Sequence, residues 1–168
     1  MIIRKGEMRD IPEIMNIINS AKKFFRENGI DQWQNGVPNE ETIVNDIKNG
    51  ENYIVEDDGA VVATAMISLR GEPTYRRIYS GKWLCSGKYG VIHRVAVLPR
   101  QKRSGLASML VEKAKKITLD AGYASLRIDT HENNLPMRKM IEKNGFVFCG
   151  AVFLADGSPR RAYEIILE

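Results

Sequence analysis

The sequence is short of the features that mark several whole classes of protein. Its 168 residues include only two cysteines, Cys85 and Cys149. They lack metal-site spacing and are too few for a disulfide framework, so both are expected as reduced thiols. No run of 18 apolar residues occurs, and the opening MIIRKGEMRD has neither an apolar stretch nor a small-residue cleavage pattern. The expectation is a soluble, cytoplasmic protein with no membrane partner. Low-complexity tracts and internal repeats are missing too, which argues against disorder and solenoids. Neither sign of charge dominates: 25 Lys and Arg against 21 Asp and Glu leave a net +4. A pI near 9.1 suits nucleic acid or a small polyanionic cofactor, and the placement of the charge decides between them. What is present is an ordinary globular composition, 43% hydrophobic and 27% charged, in a chain long enough for one domain over residues 1–168 with its own core.

Periodicity supplies the elements. Residues 2–5 read as a strand; Asp10 as N-cap, with Pro12 and Glu13 in the first turn, opens a helix whose buried face is Ile14, Ile17, Ile18, Ala21, Phe24 and Phe25. Gly29 ends it. Asn39 caps a second helix carrying Ile43, Val44 and Ile47, and Asp58-Gly59 joins strands 52–56 and 60–69 as a hairpin. The connection RGEPTYRRIYSGKWLCSGKYG is long enough to be functional or mobile. VIHRVAVLP then reads as a central strand. A helix over about 104–121 follows, with Leu106, Met109, Leu110, Ala114 and Ile117 as its core stripe. Strand 124–130 comes next, then a helix between Pro136 and Asn144-Gly145, and last the strands 146–154 and 161–167. Two αβ units inside a mostly antiparallel sheet make the class α+β.

The stretch LPRQKRSGLASMLVEKAKK places Arg100, Lys102 and Arg103 at a glycine turn that runs straight into a helix. A helix start carries unpaired N–H groups and partial positive charge, so extra cations there imply an anionic ligand. A strand, a tight turn and a helix aim consecutive amides at such a ligand, and a diphosphate fits. The stretch lacks the P-loop pattern and has only one glycine of the dinucleotide fingerprint.

Lys102-Arg103-Ser104-Gly105-Leu106-Ala107 resembles the acetyl-CoA loop of the GNAT superfamily of N-acetyltransferases, Gln/Arg-x-x-Gly-x-Gly/Ala, with Lys102 in place of Gln or Arg. NLPMRKMIEKNGF resembles the family's later Asn-x-x-Ala…Leu-Tyr-Glu-Lys-x-Gly-Phe segment, with Asn134 at the Asn position and Gly145-Phe146 closing it. The resemblance spans nearly the whole chain in element order. It implies a GNAT fold with a mixed central sheet of about seven strands flanked by about four helices. It also implies acetyl-CoA as co-substrate, held by the backbone of Val95, Ala96 and Val97 and by Lys102, Arg103, Ser104, Gly105, Leu106, Ala107, Ser108 and Asn134, with no metal.

Acetyl transfer to an amine needs a proton acceptor, an oxyanion donor and a proton for the departing thiolate. His93 lies two residues before Val95 and, by alternation, on its face; an ordinary histidine pKa of about 6.5 suits base work. A core histidine is the bland alternative. His131, in IDTHENN, competes for the role, and Asp129 either orients it or caps the turn. By resemblance, strands 91–97 and 124–130 splay around the cofactor. The usual acid, Tyr, is replaced by Ile141, which cannot protonate a thiolate; Tyr163 is a candidate substitute. Asp31 and Trp33, in the loop that borders the acceptor in this family, are the acceptor-side candidates. The leading expectation is direct acetyl transfer to a primary amine of a small molecule or peptide. A non-catalytic acyl-CoA-binding or sensing domain is the alternative, and a homodimer is compatible with either. TYRRIYSGKW interleaves aromatics and cations as nucleic-acid binders do, but no nucleic-acid motif accompanies it, and no such partner is expected.

Overall fold

The computed structural model describes all 168 residues. Its elements are β1 (Ile2–Lys5), α1 (Ile11–Glu27), α2 (Glu40–Lys48), β2 (Asn52–Asp57), β3 (Ala60–Ser68), β4 (Tyr89–Val97), α3 (Leu106–Asp120), β5 (Ser125–Thr130), α4 (Leu135–Lys143), β6 (Val147–Phe153) and β7 (Pro159–Ile166). Short 3₁₀ turns lie at Met8–Asp10, Pro73–Arg76 and Pro99–Gln101. The seven strands form one mixed sheet in the order β1-β2-β3-β4-β5-β7-β6. β1–β2, β2–β3, β5–β7 and β6–β7 pair antiparallel, and β4–β5 is parallel, so the class is α+β. No helix is long and apolar enough to cross a membrane.

The chain forms two compact units. The first comprises Met1–Ile67 and Arg94–Leu110. Asp58 and Gly59 take φ of +49° and +79°, the left-handed pair that a two-residue hairpin turn demands. α1 presents Ile14, Ile17 and Ile18 to a core shared with Ile43, Ile54, Val61 and Ala96. Truncating any of these isoleucines to alanine costs about 2–5 kcal/mol. Asn39 caps α2 as its sequence suggests, accepting the Thr42 N–H at 3.0 Å. Asp10 differs from expectation. It precedes α1, but its carboxylate takes both Arg4 guanidinium nitrogens, at 2.8 and 2.9 Å, and the Glu7 N–H, and makes no side-chain cap bond to the helix. A charged guanidinium outbids a helix-terminal amide for one carboxylate, and Arg4 holds Asp10 below the usual carboxylate range.

The second unit comprises Ser68–His93 and Val111–Glu168. Its core gathers Tyr75, Val91, Val152 and Ala162. The long connection from residue 69 to 88 is pinned at several points. Tyr79 and Ala151 exchange both backbone hydrogen bonds at 2.8 Å, and the Lys82 N–H reaches the Cys149 carbonyl at 3.0 Å. Gly81 permits that approach, since a Cβ there would stand 1.8 Å from the Cys149 oxygen. The Glu164 carboxylate, fully buried, accepts the Leu84 N–H at 2.6 Å, the Ser125 hydroxyl at 2.6 Å and the Arg127 Nε at 3.0 Å. The Arg127 guanidinium is stacked between the rings of Trp83 and Tyr89, at 4.0 and 3.8 Å from their centroids. Trp83 of this connection and Tyr89 at the start of β4 thus hold the connection through Arg127 of β5 and Glu164 of β7. Both cysteines are free thiols, as expected.

Candidate active site

β4 leads into the glycine turn. Pro99–Gln101 make one 3₁₀ turn, and the Lys102 and Ser104 N–H groups fold back on the Pro99 and Gln101 carbonyls at 3.3 Å. Those two amides are therefore occupied. The first helical bond of α3 runs from the Met109 N–H to the Gly105 carbonyl at 3.0 Å, so Gly105, Leu106 and Ala107 have no helical acceptor for their N–H groups. Gly105 has φ of +84°, and a Cβ built on it meets nothing within 4 Å. The glycine is required by its left-handed backbone, and the space before it is open to a ligand.

The cations around this turn divide. Arg100, Lys102 and Arg103 are all exposed, but the Lys102 ammonium lies 4.1 Å above the Phe24 ring, which accounts for the half-burial of Phe24 at the end of α1. Arg103, itself left-handed at φ +67°, lies two residues before Gly105. Val95 and Ala96 are buried, so their side chains serve the core.

Arg94 has no counterpart in the sequence reading. It takes φ of +55° in the middle of β4, and its guanidinium donates to both oxygens of the buried Asp46 on α2, each at 2.9 Å. A left-handed residue interrupts the period of two, so alternation does not carry one face from His93 to Val95.

His93 lies among groups brought from three places in the sequence. Its Nε2 is 3.1 Å from Glu72 Oε2, and its Nδ1 is 3.8 Å from Asp129 Oδ2. The buried Tyr75 donates its hydroxyl to the same Asp129 oxygen at 2.5 Å, and its ring centroid is 5.7 Å from that of His93. Glu72 is fixed in turn, accepting the Thr74 N–H at 3.1 Å, while its own N–H reaches the Tyr89 hydroxyl at 3.3 Å. The hydrogen bond from His93 pulls the Glu72 carboxyl down to about 2, against an opposing push from burial. Burial, then the Asp129 charge, push the Tyr75 phenol well above its ordinary value. The β4–β5 ladder covers Tyr89↔Ser125 to Val91↔Arg127, so it closes before His93. Glu72 and Tyr75 were missed by sequence reasoning; the length of the connection carrying them was the only signal.

The remaining candidates are placed as follows. Asp129 turns to Tyr75 and His93, while the His131 Nδ1 accepts the Asn133 N–H at 3.0 Å. Asn134 is buried and caps α4, accepting the Met137 N–H at 3.3 Å. Ile141 is fully buried, and so is Tyr163, whose hydroxyl accepts from Arg161 Nε at 3.0 Å. Trp33, at φ +58°, packs edge-on to Phe25 with centroids 5.5 Å apart at the margin of the first core, whereas Asp31 is exposed.

Comparison with known proteins bears on this geometry. Residues 13–146 match the acetyltransferase (GNAT) family. The structure is similar to that of a GNAT-family acetyltransferase from Streptococcus agalactiae 2603, with 34% identity, a TM-score of 0.89 and coverage of 99% of this chain and 95% of that one. A GNAT-family acetyltransferase from Listeria monocytogenes 4b F2365 shares the fold at 21% identity, with a TM-score of 0.75 and coverage of 99% and 94%. So does the ribosomal-protein-alanine N-acetyltransferase of Brucella melitensis, at 18% identity, a TM-score of 0.71 and coverage of 99% and 100%. No curated protein matches the sequence. With the fold, the glycine turn at the mouth of α3 and the family match over residues 13–146 in agreement, the chain belongs to the GNAT acetyltransferase family and is an acyltransferase.

Proposed function

We propose that the protein moves the acetyl group of acetyl-CoA directly to a primary amine of a small molecule or peptide. The observation that carries this reading is the continuity of β4. One strand bears His93, flanked by carboxylates, and ends at Val97, and the chain then makes the glycine turn whose Gly105, Leu106 and Ala107 amides have no helical acceptor. In this reading the amides of Gly105, Leu106 and Ala107, helped by Arg103, receive the pyrophosphate. The backbone of Val95–Val97 holds the pantetheine, and Asp31 and Trp33 border the acceptor.

Acetyl-CoA supplies a thioester: the amine lone pair forms the new C–N bond, the C–S bond breaks with its electrons on sulfur, and the thiolate takes a proton from water. His93 accepts the proton that the amine nitrogen loses. Buried Ile141 and Tyr163 leave the protonation of the thiolate to water. His131, whose Nδ1 is engaged by a backbone amide, is the second choice for the proton acceptor.

The test is release of free thiol from acetyl-CoA against a panel of amines. Because two structural relatives are named for acetylating a ribosomal-protein alanine, peptides with N-terminal alanine belong in that panel beside small primary amines. Thiol release that requires both substrates supports the reading. The absence of a tyrosine at Ile141 favours a second one, a non-catalytic acyl-CoA-binding domain. Tight coenzyme A binding with no turnover on any amine would establish that instead.

A further inference from the structure

The surroundings of His93 distinguish its two ring nitrogens. Nε2 is at hydrogen-bond distance, 3.1 Å, from Glu72 Oε2. Nδ1 faces Asp129 Oδ2 at 3.8 Å, beyond hydrogen-bond length, and that oxygen already accepts the Tyr75 hydroxyl at 2.5 Å. An ionised carboxylate only accepts, so the nitrogen that meets Glu72 must carry the hydrogen, and in the neutral ring the lone pair is then on Nδ1. Glu72 cannot swing away freely, because its other carboxylate oxygen accepts the Thr74 N–H at 3.1 Å.

We propose that Glu72 is a positioning residue that fixes His93 as the Nε2–H tautomer, so that Nδ1 is the atom that takes the amine's proton. This rests on His93 being the proton acceptor, as proposed above. The groups facing the ring are Glu72 and Tyr75 from the 69–88 connection and Asp129 from β5. Each has a separate task. Glu72 holds the Nε2 hydrogen, Asp129 stabilises the imidazolium formed when Nδ1 is protonated, and the Tyr75 hydroxyl keeps Asp129 in place. Proton transfer is balanced at the ring: one proton leaves the acceptor nitrogen and one arrives at Nδ1, while the Nε2 hydrogen stays where it was. The wall built by the connection between β3 and β4 therefore delivers a working part of the site.

The chain has only two histidines, so the ring nitrogens can be read by NMR in ¹⁵N-labelled protein, with the His93 signals identified by their loss in His93→Ala. Above the titration of the ring, without substrate, the parent should show a protonated Nε2 and a bare Nδ1. In Glu72→Gln the amide can donate to Nε2, so the hydrogen should move to Nδ1, where Asp129 accepts it. The turnover number should then fall about a hundredfold or more, with the KM for acetyl-CoA changed less than threefold, as when a triad histidine is held in the wrong tautomer. Glu72→Asp, which keeps the carboxylate, should retain the Nε2–H form and recover part of the rate. An Nδ1–H tautomer in the parent overturns the proposal, as does an unmoved hydrogen in Glu72→Gln. If Glu72→Gln does not fold, the parent and Glu72→Asp tautomers decide. The predicted tautomers with a fully active His93→Ala would overturn the base assignment instead, because the tautomer is read without turnover.

Discussion

The glycine turn at residues 98–108 and the cluster around His93 work by opposite means. The turn uses backbone: amides left over at a helix start, a left-handed glycine and open space, with exposed cations near it. The cluster uses side chains: a histidine, two carboxylates and a phenol drawn from β4, β5 and the connection between β3 and β4, half-buried or buried, each held by another. Backbone sites tolerate most side-chain changes and fail only where a substituent fills the space for the ligand. Side-chain sites fail when any member is removed, and they depend on whatever pins the segments that carry them. In this protein that dependence leads from His93 through Glu72 to the buried Glu164, which holds the far end of the same connection.

The largest effect should come from breaking that anchor. Glu164→Ala leaves the Arg127 guanidinium buried and unpaired and frees the Leu84 amide, so unfolding in denaturant should show a loss of about 3–5 kcal/mol. An effect under about 1 kcal/mol would mean that the clamp on the connection is not structural. Next is His93→Ala, which should lower kcat/KM about a hundredfold while leaving coenzyme A affinity nearly intact. An unchanged rate would pass the role to His131 or to water.

Acid stability sharpens the comparison further. The folded Glu72 carboxyl titrates near 2 against an ordinary 4.5. A depressed acid contributes stability that is complete above its unfolded pKa and is lost as pH falls through the window from about 4.5 to about 2. The parent should therefore lose on the order of 2 kcal/mol more than Glu72→Gln across that window, a figure discounted for the partial exposure of the carboxylate. Equal losses would show that the His93 contact does not hold in solution. The smallest effect is expected at the turn: Arg103→Ala removes one solvated cation and should weaken coenzyme A binding several-fold, about 1 kcal/mol, without altering the pH profile of turnover.

The same contrast explains what the sequence made legible. The turn is local, since strand, glycine and helix are consecutive, and short-range patterns such as Asp58-Gly59, Asn39 before α2 and Pro136 in α4 placed the elements in their observed order. The cluster around His93 is not local. Glu72 and Asp129 reach His93 across 21 and 36 positions of chain, and nothing in GEPTY announces that its glutamate turns inward. Two local readings missed a long-range charge pair. Asp10 occupies the N-cap position of α1 as read, but Arg4, the third residue of β1, claims its carboxylate in place of the helix amides. His93 looked aligned with Val95, but the left-handed Arg94, held by Asp46, breaks the alternation between them. Charge pairs that form across the fold decided both cases.

The most direct test of the account is isothermal titration of coenzyme A into the parent protein and into Gly105→Glu, with circular dichroism confirming that both are folded. The open space before Gly105 is where we propose that the ligand's phosphates sit, so a carboxylate side chain there would add bulk and like charge to that site. The parent should bind and Gly105→Glu should show almost no binding. Equal affinity in a folded Gly105→Glu would contradict the placement of the pyrophosphate on the mouth of α3, and with it the route by which the acetyl group is presented to His93.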